Sequence, residues 1–325
     1  MHVLSCPHLP EAAHTPLGSE VYRGLTSWPK TLSPWLFYDA KGSELFEQIT
    51  ELPEYYPTRT ERSILSAHAD QIVASAAGCE RLTMIELGAG TATKTGLLLK
   101  AAVKRQSEVT YHAIDVSGSA LDEAKRRIEA ELEGVAVVPR VADYTEGLGE
   151  IDANGQRRMV LYIGSSIGNF EPADALELLR DIRRELKPGE KLLLGVDMVK
   201  DTQLLLNAYD DATQVTAAFN KNVLTRINRE LGANFNLNLF RHRARWNEEC
   251  SRIEMHLESL ITQTVSIPEL ELEVKLQRGE TIHTENSYKF RDEGVIGMLE
   301  RSDFHLSDHW TDEREWFGVY LATAW

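Results

Sequence analysis

Between residues 83 and 197, short apolar runs alternate with amphipathic stretches. Thr83-Met84-Ile85-Glu86-Leu87 precedes a helical pattern from about Thr93 to Lys104. Val109 to Asp115 precedes a second one, from Ser117 to Leu132, with Ser117 placed as its N-cap. Val135 to Asp143 is a third run and Met159 to Ser165 a fourth. Glu171 to Leu186 then reads as a helix closed by Lys187-Pro188-Gly189, and Lys191 to Asp197 is a fifth run. Runs that are apolar throughout, rather than at every second position, predict strands covered on both faces. Their alternation with helices predicts a parallel sheet.

The pattern differs on either side of this block. Residues 20 to 65 read as helices broken by Pro29, Pro34, Pro53 and Pro57, with Ser43 to Ile49 one helical piece. Residues 202 to 231 read as helical and 241 to 276 as strands, in which Ile253, Met255 and Leu257 share a face. Two further strands, 304 to 310 and 316 to 323, are expected to complete the sheet edge. The chain thus divides into a loose arm (1–18), an N-terminal helical segment (19–62), a core sheet domain (63–200), a smaller inserted domain (201–286) and C-terminal strands completing the sheet (287–325). The fold class is α/β, a Rossmann-like sheet with an inserted α+β domain.

Composition narrows the partners. The 325 residues are 42% hydrophobic and 26% charged, enough for a packed core. A net charge of −15 argues against nucleic acid or an anionic membrane as partner. From Trp246 onward 17 acidic residues face 7 basic ones without any long acidic run, which reads as solvated surface. Cys6, Cys79 and Cys250 are too widely spaced for a disulfide framework or a zinc knuckle. The start of the sequence lacks a basic stretch followed by an apolar one, and no apolar run reaches the ~18 residues of a membrane span. The expectation is a cytoplasmic monomer without membrane contact. His305 and His309, with Asp308 and Asp312 nearby, suggest a metal, but on a strand this spacing parts the two rings by about 13 Å. No metal is expected.

The candidate chemistry centres on Glu86-Leu87-Gly88-Ala89-Gly90-Thr91-Ala92-Thr93-Lys94, where an open α/β sheet binds ligands. A dinucleotide loop wants a third glycine, and Thr93 stands in its place. The alternative is the E-x-G-x-G loop that binds S-adenosylmethionine, whose lack of phosphate removes the need for that glycine. Asp115 ends the second run and can accept both ribose hydroxyls. Asp143, followed by Tyr144, ends the third and can accept the adenine amino group.

Several stretches together resemble one family: Phe37-Tyr38-Asp39, Gly42 to Phe46, Leu52 to Arg59, Ile163 to Asn169, Ala208 to Asp211, Phe219 to Asn222, and Thr284 to Ser287. They are similar to the L-histidine Nα-methyltransferases of ergothioneine biosynthesis, from about Val21 to the end. The resemblance implies a class I S-adenosylmethionine-dependent methyltransferase sheet with an inserted substrate domain. The implied reaction trimethylates the α-amino group of L-histidine to hercynine and leaves S-adenosylhomocysteine. Gly88, Lys94, Asp115, Asp143 and Tyr144 would be cofactor residues, beside Glu86 and Gly90 of the loop. Tyr55, Asn169 and Tyr209 match positions that bind the amino-acid end of histidine, and Glu285 and Ser287 positions that grip its imidazole. Phe46 and Met255 match pocket walls, and Gly164 and Tyr38 positions near the amine.

The residue types suit these roles. Asn and Tyr donate to a carboxylate, while Glu285 and Ser287 can serve the two unlike nitrogens of a neutral imidazole. Two apart on an extended segment, their side chains point the same way. The amine must be neutral to attack, and Tyr38, directly or through water, is the candidate to orient it or relay its proton, with Asn169 and Tyr209 as its catalytic companions. The alternatives are a methyltransferase for another aromatic amino acid or amine, and a non-catalytic S-adenosylmethionine-binding protein.

Overall fold

The computed structural model describes residues 10–142, 151, 153 and 155–325. Asp143 and Tyr144 lie outside the described residues.

In chain order the elements begin with α1 (Pro16–Thr26), whose N-cap Thr15 accepts from the Gly18 N–H, and the two-residue strand β1 (Lys30–Thr31). Helix α2 (Ala40–Thr50) is capped by Asp39, whose carboxylate accepts the Gly42 N–H at 2.7 Å. Then come α3 (Tyr56–Ala77), β2 (Leu82–Leu87), α4 (Thr95–Gln106), β3 (Val109–Asp115), α5 (Gly118–Glu131) and β4 (Val135–Val141). Strand β5 (Arg157–Tyr162), α6 (Pro172–Glu185) and β6 (Lys191–Asp197) follow. The stretch read as helical over 202–231 holds two helices, α7 (Thr202–Tyr209) and α8 (Val215–Leu231), the second preceded by Gln214 at φ 64. The chain continues through β7 (Phe240–Asn247), β8 (Arg252–Ser259), β9 (Gln263–Ile267), β10 (Leu272–Leu276) and β11 (Thr281–Tyr288). It ends with α9 (Asp292–Glu300), β12 (Phe304–Thr311) and β13 (Phe317–Ala324).

These elements form two compact units. The first comprises residues 1–55, 202–248 and 253–286, the second 56–201, 249–252 and 287–325. The division falls at Tyr55/Tyr56, where the sequence suggested 62/63, because α3 runs unbroken from Tyr56.

The second unit holds a seven-stranded sheet ordered β12-β13-β6-β5-β2-β3-β4. Its central strands are parallel, and β13 runs antiparallel to both β6 and β12. Every residue of β2 is buried, as a strand covered on both faces requires. Leu82 and Met84 pack among α3, α4 and α5 (Leu65, Ile72, Leu98, Leu121). Ile85 and Leu87 pack on the opposite face against α6 and α9 (Leu179, Ile182, Val295, Leu299). On β12, His305 stacks on Trp325 and His309 on Tyr320, so the two rings serve separate aromatic contacts.

The first unit contains a four-stranded sheet, β1-β11-β8-β7, and a hairpin of β9 and β10. Met255 and Leu257 of β8 are buried, as their shared face predicted. No helix among the described residues is long and apolar enough to cross a membrane.

Candidate active site

In the second unit the order of connection reverses between β2 and β5, and ligands of open α/β sheets bind at such a point, outside the carboxyl ends of the strands. The glycine loop follows β2. Gly88 (φ 69) and Gly90 (φ 51) both adopt left-handed backbone, which side chains disfavour. A Cβ built on Gly90 would meet nothing within 4 Å, so neighbouring protein does not demand the glycine. Asp115, at the end of β3, faces this loop: its Oδ2 accepts the Gly90 N–H at 2.8 Å and its Oδ1 the Ser117 N–H at 2.8 Å. Each oxygen retains a lone pair for further donors such as a diol. Beside it, at the ends of β3 and β4, Val116 and Val141 leave 48% and 65% of their surface uncovered. Sequence reading passed over both, because a single valine at a strand end carries no signal.

Glu86 is fully buried inside β2, where the Thr95 hydroxyl donates to its carboxylate at 2.6 Å and the Tyr111 phenol donates as well. Burial pushes its carboxyl up to about 7, against the pull of these two donors. It therefore braces the loop from below, tying β2 to β3 and the start of α4.

After β5, Gly164 (φ 85) and Ser165 (φ 64) turn the chain into a short 3-10 turn, Ser166–Asn169, that leaves Asn169 half-buried. Gly168 permits this turn, since a Cβ there would lie 2.8 Å from the Tyr288 carbonyl oxygen. Lys94, the N-cap position of α4, forms an ion pair with Glu61.

A second buried cluster surrounds Ser287. Lys289, fully buried, donates to the Ser287 hydroxyl at 2.7 Å and pairs with Asp197 at 2.9 Å. Tyr56 donates to Asp197 at 2.7 Å, and Lys200 pairs with the same carboxylate. Burial opposes the charge on Asp197, but Lys289 and Lys200 outweigh it and hold its carboxyl below the ordinary range. Burial pulls Lys200 down to about 8.

In the first unit, four predicted residues meet in one aromatic group. Tyr38 lies 5.8 Å from Phe46, Phe46 6.3 Å from Tyr55, and Tyr55 6.3 Å from Tyr209, ring centre to ring centre. Phe219 of α8 touches both Tyr38 and Phe46. A polar chain sets the backbone beside Glu285. The carbonyl of Tyr209 accepts from His242 Nε2 at 2.7 Å, and Asn220 meets His242 Nδ1 at 2.8 Å. Asn220 in turn accepts from Thr284 at 2.8 Å, and Thr284 also donates to the Met255 carbonyl at 3.0 Å. Burial lowers the His242 pKa, which keeps its ring neutral and suited to this donor-and-acceptor role. Glu285 and Ser287 are both buried on one side of β11, 9% and 4% exposed, as strand alternation predicts.

An open sheet whose reversed strand β13 lies inside an otherwise parallel order, with a glycine loop, a strand-end aspartate and no third glycine, defines the class: a class I S-adenosylmethionine-dependent methyltransferase. The model of the histidine-specific, S-adenosylmethionine-dependent methyltransferases matches residues 17–324, and the chain belongs to that family. It is 46% identical to the histidine N-alpha-methyltransferase of Mycolicibacterium smegmatis, over 96% of each chain. It is 44% identical to that of Mycobacterium tuberculosis, over 99% of each. It is also 28% identical to ergothioneine biosynthesis protein 1 of Schizosaccharomyces pombe, over 89% of this chain and 38% of that one.

Proposed function

We propose that this protein methylates the α-amino group of L-histidine three times, giving hercynine, as the first step toward ergothioneine. Two relatives that match almost end to end carry the name histidine N-alpha-methyltransferase. The observation that carries the substrate reading is on β11. Glu285 carries a carboxylate and Ser287 a hydroxyl, which accepts from the Lys289 ammonium, on the same side of the strand. A ring with one N–H and one bare nitrogen answers that pair, and neutral imidazole is such a ring.

S-adenosylmethionine, when bound, supplies a methyl group already activated by its sulfonium. Gly88, Gly90, Lys94 and Asp115 would hold it, joined by Asp143 and Tyr144, with Val116 and Val141 offering apolar surface to a flat base. Glu86 serves the same site by bracing the loop. The remaining task is to present a neutral amine in line with that methyl group, which is largely a matter of positioning. Tyr55, Asn169 and Tyr209 would hold the substrate carboxylate, Phe46 and Met255 would wall the ring, and Tyr38 would orient the amine or take its proton through water, with Gly164 as a second residue near the amine. The enzyme is read as a cytoplasmic monomer with no metal.

The direct test is to incubate the protein with S-adenosylmethionine and each amino acid in turn and read mass gains of one to three methyl groups. Gain on histidine is expected; gain on another amino acid in preference overturns the reading. Glu285→Ala should narrow the preference for histidine over tryptophan by about tenfold or more, because a site left without its acceptor loses the basis for rejecting an apolar ring. An unchanged preference in that variant removes Glu285 from ring recognition.

A further inference from the structure

The second unit contains a carboxylate that the reaction as described does not use. Glu61, in the second turn of α3, has no exposed side-chain surface. Its Oε1 accepts the Gly164 N–H at 2.9 Å, and its Oε2 pairs with Lys94 Nζ. The space it occupies is reserved for it. Gly195, in the middle of β6, would with a Cβ come within 2.2 Å of Glu61 Oε1. A buried carboxylate is costly unless its charge and lone pairs are met, and here one ammonium and one backbone N–H meet them.

The two partners are not neighbours in sequence. Lys94 opens α4 after the β2 loop, and Gly164 opens the turn after β5. Those loops flank the point where the strand order reverses, so one side chain from a third element spans the two sides of the cofactor cleft. The Lys94 side chain remains 20% exposed beyond the pair, and an ammonium has three donors, of which Glu61 takes one.

We propose that Glu61 is a positioning residue for the amino-acid tail of the cofactor. It fixes the Lys94 ammonium so that a remaining N–H meets the tail carboxylate, and it locks the Gly164 turn at the same time. A lysine on a flexible four-carbon stem loses less freedom on binding when a buried partner already holds its head. This inference rests on the reading of Lys94 as a cofactor residue.

Two ligands isolate the tail. S-adenosylhomocysteine has it, and 5′-methylthioadenosine keeps the adenosine and sulfur but lacks it. Calorimetric affinities for both are to be measured on the wild type, Glu61→Gln and Lys94→Met. Glu61→Gln is expected to weaken S-adenosylhomocysteine by about tenfold, the scale of one charge-assisted hydrogen bond, while 5′-methylthioadenosine stays within about threefold. A merely structural role would lower both together, and that result overturns the proposal, as does an unchanged ratio. If Lys94→Met also keeps the wild-type ratio, the reading of Lys94 itself has failed. If only Glu61→Gln keeps it, that reading stands and Glu61 is not the positioning residue. Should Glu61→Gln fail to fold, Glu61→Asp, which retains the charge on a shorter stem, is expected to lower the same ratio in part, and an unchanged ratio there again overturns the proposal.

Discussion

Single residues here owe their roles to partners distant in sequence. Glu86 was readable as part of a glycine motif, yet its state is set by burial between Thr95 and Tyr111. Its raised pKa fixes the sign of a pH effect. The folded state holds the proton more tightly than the unfolded chain, so this group's contribution is full below pH ~4.5 and is lost as pH rises through about 7. Glu86→Gln abolishes that loss. The variant should gain on the wild type by on the order of 2 kcal/mol between pH 5 and pH 8 in denaturant titrations. A gap that stays constant over that range would show that Glu86 does not titrate there. The motif residues Gly88, Gly90, Asp115 and Asn169 were legible because each is tied to a strand end. Glu61 and Lys289 were not. In sequence, Glu61 is one more acid on a helix, and what marks it is an N–H from Gly164, 103 positions later.

Elements were legible in proportion to how fully they are buried. The runs that became β2, β5 and β6 stood out because burial on both faces leaves no polar alternation. Helix α9 escaped notice, being nine residues long and interrupted by Gly294 and Gly297. Strand β1 is two residues whose identity as a strand comes from pairing with Ile282 and His283. The glycine loop allows a controlled comparison between elements. Gly90 (φ 51) and Gly232 (φ 64), the latter closing α8, are both left-handed, and a Cβ would meet nothing within 4 Å at the first and only the Glu269 side chain, at 3.9 Å, at the second. Alanine at either should cost about 1 kcal/mol of backbone strain. Only Gly90→Ala should also weaken S-adenosylhomocysteine, because only there does the proposed site bring a ligand against the backbone. Equal affinities in the two variants would show that the loop does not contact the cofactor.

At the scale of the whole molecule, the two compact units divide the proposed labour. The described cofactor residues, from Gly88 to Asp115, lie in the second unit, whereas of the residues proposed for the substrate Tyr38, Phe46, Tyr55, Tyr209, Met255 and Glu285 lie in the first and Gly164, Asn169 and Ser287 in the second. In hydrogen-exchange measurements S-adenosylhomocysteine alone should therefore slow exchange in the loops after β2, β3 and β5, and histidine added afterwards should extend protection to β11. Protection of β11 by S-adenosylhomocysteine alone, with no further change on adding histidine, would contradict this division. The placement of β13 bears on how the enzyme is made. This strand sits between β6 and β12, and all seven residues of β6 are buried in the finished sheet. A ribosome delivers Asp197 120 positions before Phe317, a wait of roughly 6 to 24 s at ~5–20 residues per second. Throughout that interval the margin of β6 that β13 will cover has no partner strand, and an unpaired apolar edge of this kind is what makes a nascent sheet prone to association with other chains.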